Sequence, residues 1–158
     1  MSLGEAVLLG DLMEKHRILE DIELLIPGFR GYKQKELRRE SDKLLRTKIC
    51  DELKYIKKDF EYMEDGIENI DELRKCEEII KQLQKLIDKI EHADYGYAGF
   101  FDLEHIDEKE LDRLYEYDKK ILKKIEEIKE REDSKDVLKN LRILEEEFEK
   151  RKKYMMGE

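Results

Sequence analysis

The chain has no tryptophan, one proline and two cysteines among its 158 residues. Nowhere does it carry an apolar run of about 18 residues, the length a helix needs to cross a bilayer. Cys50 and Cys76 form no CxxC pair and no framework dense enough to staple a secreted scaffold. Reduced thiols in a cytoplasmic protein are the resulting expectation. The opening residues MSLGEAVLLGDLMEKH have neither a basic leader nor a long apolar stretch, so no signal peptide is read there. Eight glycines and one proline exclude collagen-like and Pro/Gly-rich disordered classes. Asn and Gln are scarce beside Lys and Glu, a bias of heat-adapted proteins.

What the chain has in excess is charge. Asp, Glu, Lys and Arg make up 47% of it, against about 25% in ordinary soluble domains. The hydrophobic share is 39%, low for a broad globular core but sufficient for narrow seams between helices. The net charge of −9 disfavours nucleic acid as a partner. The charge is uneven, however. Between Arg30 and Lys48 eight bases face three acids, so the rest of the chain carries the whole acidic excess.

Apolar residues recur every three or four positions and nowhere alternate with period two, which predicts helices only. The spacing predicts helices over about 4–26, 32–65, 70–92, 107–131 and 134–155. Pro27-Gly28 ends the first and Gly66 interrupts after the second. Ile49, Leu53, Ile56, Phe60 and Met63 mark the seam of the second, and Leu73, Cys76, Ile80, Leu83, Ile87 and Ile90 that of the third. The fourth opens at Asp107, a cap with Glu110 three residues on, and carries Leu111, Leu114, Asp118, Ile121, Ile125 and Ile128. The fifth uses Val137, Leu141, Leu144 and Phe148. Glu132-Asp133-Ser134 reads as a turn between the last two, where the heptad phase slips. The expected fold is all-α: one domain over 1–158, an elongated antiparallel bundle of four or five helices with coiled-coil-like seams.

Two breaks share a pattern. Gly28-Phe29-Arg30-Gly31-Tyr32 and Gly96-Tyr97-Ala98-Gly99-Phe100 both read Gly-aromatic-x-Gly-aromatic. They follow the first and third helices, so an up-and-down bundle places them at one end. Rigid rings and arginines supply much of the energy at protein interfaces. Phe29, Tyr32, Tyr95, Tyr97, Phe100 and Phe101, with Arg38 and Arg39, are therefore candidate partner-binding residues; the alternative is that the rings plug the bundle end. Lys35, Arg38, Arg39, Lys43 and Arg46 lie along one region of the second helix and form a candidate surface for anionic membranes. The alternative there is ion pairing with the acidic start of the fourth helix, Asp102, Glu104, Asp107, Glu108 and Glu110.

Motifs for catalysis are missing. HExxH, a Walker loop and GxSxG do not occur. The histidines are His16, His92 and His105, and only Asp102-x-x-His105 approaches the Glu-x-x-His spacing of a metal-binding bundle. Pairing His92 with Asp94 or His105 with Asp102 makes a poor metal site. No catalytic residue, metal or cofactor is assigned. Asp118 stands out because it occupies a seam position between Leu114 and Ile121. A buried carboxylate needs a partner, and a Lys or Arg from the second helix is the expected one, fixing register. Tyr115 and Tyr117 flank it as hydrogen-bond donors.

The strings Pro27-Gly-Phe-Arg-Gly-Tyr-Lys-Gln-Lys-Glu-Leu-Arg-Arg-Glu40, followed by Asp42 and Arg46, and Tyr95-Gly-Tyr-Ala-Gly-Phe-Phe-Asp102 resemble a family of uncharacterised helical proteins of archaea and bacteria. In that family a PG[YF]xGYxxKExRRxxD segment precedes a YGYAGxFD segment. The resemblance covers two motifs, implies that the two breaks belong together, and carries no activity with it. The expected function is a non-enzymatic interaction or scaffold module docking a protein partner at the aromatic-glycine end. Peripheral membrane binding is the alternative, and a weak metal site or enzyme the further one. Long seams also favour pairing with a second copy.

Overall fold

The structure, a computed structural model, describes residues 18–93, 98–130 and 134–157. Their regular structure is all helical, with no strand among the described residues. In chain order these are α1 over 18–25, a 3-10 turn at Lys35–Leu37, α2 at Arg38–Glu64, α3 at Ile70–Glu91, the short α4 at Ala98–Phe101, α5 at Glu108–Lys129 and α6 at Ser134–Met155. The expected start of the first helix lies outside the described residues.

Local chemistry explains the boundaries. Asn69 accepts hydrogen bonds from the backbone N–H groups of Asp71 and Glu72, opening α3. Asp107 accepts from the N–H of Glu110 and opens α5. The second helix begins six residues later than its periodicity suggests. Gly31 sits at φ +78° and the Tyr32 carbonyl accepts from Arg38 Nε at 2.8 Å, so neither residue continues a helical ladder backward. α4 was not expected from the sequence; four residues are too few to show a period. α5 and α6 are separate helices, with Lys129 and Ser134 as their facing ends.

Packing follows the seams, with a less simple arrangement than up-and-down. α2 pairs chiefly with α3 and α5 with α6; α3 also lies against α6, and α2 against α5. Going around the bundle the order is therefore α2, α3, α6, α5. Each hairpin is antiparallel, but across the two hairpins like-directed helices are neighbours. Asp42 and Asp118 share one level through Arg151, and Glu52 pairs with Lys129 further along, so α2 and α5 run the same way. The chain must then cross the bundle diagonally from the end of α3 to the start of α5. That crossover contains α4, and it lies over the bundle end.

The core is a column of Leu, Ile and Phe. Ile49, Leu53, Ile56, Phe60, Leu83, Ile87, Ile90, Leu114, Ile121, Ile125, Ile128, Val137, Leu144 and Phe148 are all buried. Met63, the last position of the predicted α2 seam, is instead 48% exposed. The reason is length. α2 continues from Glu52, level with the last residue of α5, to Glu64, about 18 Å further at 1.5 Å per residue. The helix outruns its neighbour.

Gly31 is the turn position with no substitute. Its φ is +78°, and a Cβ built there collides with the Tyr115 hydroxyl oxygen. That hydroxyl accepts the Tyr32 N–H at 3.0 Å. Gly31→Ala combines a left-handed backbone with a displaced hydrogen bond, and a loss of about 2–3 kcal/mol is expected. Urea denaturation checks it; a loss below about 0.5 kcal/mol contradicts the reading.

Candidate functional site

The bundle end holds the residues that the sequence singles out, but mostly inside. Phe29, Tyr32, Phe100 and Phe101 are at most 6% exposed. Phe29 meets Tyr32 edge-on with centroids 5.6 Å apart, and Tyr32 stacks on Tyr115 at 5.7 Å. Phe29, Tyr32, Phe100 and Phe101 are thus packed into the bundle end. They are therefore not themselves a docking surface. Tyr95 and Tyr97 lie outside the described residues. The two breaks also differ in backbone: Gly28 and Gly31 have positive φ, whereas Gly99 does not and has open space around it.

Arg38, expected at a partner surface, is buried too. It donates from Nε to the Tyr32 carbonyl and from Nη1 to the carbonyls of Phe101 and Leu103. One guanidinium thus ties the first break to the second. It satisfies carbonyls that would otherwise be lost to water, because both breaks are irregular backbone. Arg39 remains exposed; it pairs with Asp102 at 3.1 Å and lies over the Phe101 ring at 5.1 Å. Lys35 pairs with Glu104 at 2.7 Å. Arg46 is buried, donating to Asp42 and to the carbonyls of Ile90 and Glu91 at the end of α3. Of the five cations expected to face a membrane, two are sealed in and two engage the acidic crossover. Lys43 is exposed, with no ion pair among the described residues. The stripe is largely consumed by the fold.

Below the rings lies a buried ionic cluster. Arg151 on α6 donates from Nε to Asp118 at 2.7 Å and from Nη2 to Asp42 at 2.7 Å. Nη2 also reaches the Tyr32 hydroxyl at 3.0 Å, and that hydroxyl donates to the second oxygen of Asp118 at 2.8 Å. Asp42 receives Arg46 Nε at 2.8 Å on its other oxygen. Arg151, Asp118, Asp42 and Tyr32 have essentially no exposure. The cluster joins the first break, α2, α5 and α6, and through Arg46 the end of α3. Asp118 is thus paired from α6; the expected partner from α2 is a correction, because Arg46 is used by Asp42 and the α3 carbonyls. Its hydrogen-bond donor is Tyr32 rather than Tyr115 or Tyr117.

Asp42 and Arg151 were missed by sequence reasoning, yet a signal exists. Continuing the α6 spacing from Val137 through Phe148 lands on Arg151 and then Met155. Continuing the α2 spacing backward from Ile49 lands on Arg46 and Asp42. Polar residues in seam register are candidates for pairing with one another.

Burial governs the titration of this cluster. It pushes the Asp118 carboxyl up to about 6, against the lowering pull of Arg151 and of the Tyr32 hydrogen bond. It also raises the Tyr32 hydroxyl well above its ordinary value, so Tyr32 stays a donor. Sealed from solvent, the cluster offers no route to a substrate. Elsewhere, burial raises the Cys50 thiol to about 11, which keeps it protonated and a poor nucleophile. His92 is exposed, its Nδ1 against the Asp88 carbonyl at 2.8 Å, and Asp102 is held by Arg39. Among the described residues no three His, Cys, Asp or Glu side chains converge in a metal-binding group. No described helix is long and apolar enough to cross a membrane.

One feature of this end is open. A cleft of about 580 Å³ lies between the crossover and the end of α6, lined by Gly99, Phe100, Leu103, Glu110 and the run Tyr154 to Gly157. Leu103 and Met156 stand 43% and 45% exposed at its edge. Tyr154 is pinned across it, donating to the Glu110 carbonyl at 3.0 Å with Arg113 over its ring. The fold and these contacts define an all-α bundle closed by a buried ionic cluster. No family model, curated protein or solved structure matches the chain.

Two outcomes follow from the cluster. Arg151→Leu leaves two carboxylates buried without their shared cation and is expected to cost about 3–5 kcal/mol in urea denaturation; near-neutral stability contradicts the pairing. Asp118 has a folded pKa above its unfolded value near 4. Its protonation therefore contributes stability that is complete below about pH 4 and lost as pH rises through about 6. Between pH 4 and 7 the wild type should lose on the order of 2 kcal/mol relative to Asp118→Asn, which does not titrate. Parallel pH profiles for the two proteins contradict this.

Proposed function

We propose that the protein is a non-enzymatic interaction module that docks a partner's apolar side chains at the bundle end where the two breaks meet. The observation that carries this reading is the cleft of about 580 Å³, a volume within the range of ligand-binding pockets. Its contact residues differ from those expected. Of the expected rings the nearly buried Phe100 lines it, while Leu103, Tyr154 and Met156 offer the surface. Methionine side chains adapt to varied apolar partners. Tyr154, already held by the Glu110 carbonyl, and the packed Phe100 ring limit the ordering cost of association.

The test is capture from lysate of the source cell at low and at high salt, with wild type beside Leu103→Ser/Met156→Ser. Both positions are half-exposed, so the variant is expected to keep its circular dichroism and lose less than about 1 kcal/mol. A partner retained at high salt by wild type and lost by the folded variant supports the reading. Equal capture by both baits overturns it. Recovery of lipid alone, at low salt alone, overturns it in favour of membrane attachment.

A further inference from the structure

The opposite end of the molecule carries a different surface. The α2–α3 hairpin tip projects beyond α5, and from Asp59 to Glu72 it contains seven acids and no base. Large apolar residues are exposed in the same segment. Tyr62 is 84% exposed, Ile70 66%, and Tyr55, one heptad earlier on the Tyr62 stripe, 67%. They are not needed to hold the hairpin. Phe60 and Cys76 are buried, Cys76 donates to the Phe60 carbonyl, and Ile67 packs against the core from the loop. The tip is anchored from within and apolar on its outside.

Its acids run against local stability. Glu61, Glu64 and Asp65 occupy the end of α2, where the helix dipole disfavours negative charge and where no base is present. Lys57 pairs with Glu61 at 3.2 Å. Glu64, Asp65 and Glu68 have no ion pair among the described residues. Asp71 and Glu72 by contrast sit at the start of α3, where the dipole favours them. The fold accounts for the second pair and not for the first group.

The occupant can be narrowed by charge. Two tips repel one another, so tip-to-tip pairing of two copies is disfavoured. The basic stretch of another copy is a poor match, because Arg38 and Arg46 are buried and Lys35 and Arg39 already hold Glu104 and Asp102. Nucleic acid and anionic lipid carry the wrong sign. We propose that the α2–α3 hairpin tip docks a cationic amphipathic segment of a partner protein. Lysine or arginine side chains pair with Glu64, Asp65 and Glu68 and lie on the Tyr62 ring. The apolar face of the segment covers Met63 and Ile70. This surface is separate from the bundle-end cleft and stands or falls without it.

The probe is a short amphipathic Lys/Leu peptide, with a Glu/Leu peptide of the same pattern as control, titrated into isotope-labelled protein. Amide shifts confined to about 55–72 are expected, with affinity falling at least about tenfold in Tyr62→Ser/Met63→Ser. Glu64→Lys/Asp65→Lys should lose binding while its thermal midpoint stays level or rises, because the reversed charges suit the helix dipole. Shifts spread over other acidic faces, equal binding of the Glu/Leu peptide, or undiminished affinity in either folded variant would overturn the proposal. So would sedimentation showing a dimer that the Tyr62→Ser/Met63→Ser variant abolishes, since a second copy would then be the occupant.

Discussion

Everything at the closed end of this bundle depends on one guanidinium. Arg151 lies with no exposure between Asp118 and Asp42, and its charge is tolerated there only because both carboxylates and the Tyr32 hydroxyl receive it. A buried ion pair of this kind adds little net stability over an apolar core, since desolvation consumes most of the Coulombic gain. What it adds is a constraint. A slip of α6 by one heptad along α5 would leave Arg151 and Asp118 unpaired in an apolar column and Asp42 with Arg46 alone. Leucine and isoleucine tolerate such slips far better, because one seam layer resembles the next. The cluster therefore selects one register among several that the hydrophobic pattern alone permits.

A second guanidinium extends this constraint to irregular backbone. Arg38 bonds to carbonyls from both breaks, and Arg46 takes the last carbonyls of α3. The basic stretch between Arg30 and Lys48 thus has a structural cause. A diagonal crossover covers the bundle end with non-helical peptide groups, and arginine is the side chain with enough donors to satisfy several of them at once. The acidic crossover then pairs with the cations left outside, Lys35 and Arg39. Charge asymmetry that suggested a binding face is largely an internal bond between two parts of one chain.

The two ends are consequently unlike. One is closed by rings over an ionic cluster and retains an apolar cleft at the end of α6. The other is a protruding helical hairpin whose apolar side chains and carboxylates face water. The two proposed docking surfaces therefore lie at opposite ends of the bundle. The interior chemistry is sealed, and so the surfaces at the ends carry the functional proposals.

Helical class and most boundaries of the four long helices from Arg38 onward were legible in the sequence. A period of three to four apolar residues and a cap such as Asp107 act locally and need no knowledge of the partner. Asp118 was legible for the same reason, as a polar residue in a seam. The tertiary structure alone decided which helices are neighbours. Like-directed α2 and α5 lie side by side, and that forces the crossover, buries Phe29, Tyr32, Phe100, Phe101, Arg38 and Arg46, and pairs Asp118 with α6 rather than α2. It also left Met63 exposed, because α2 is longer than the helix beside it. Periodicity records which face of a helix is apolar; it holds no information about which other helix arrives there.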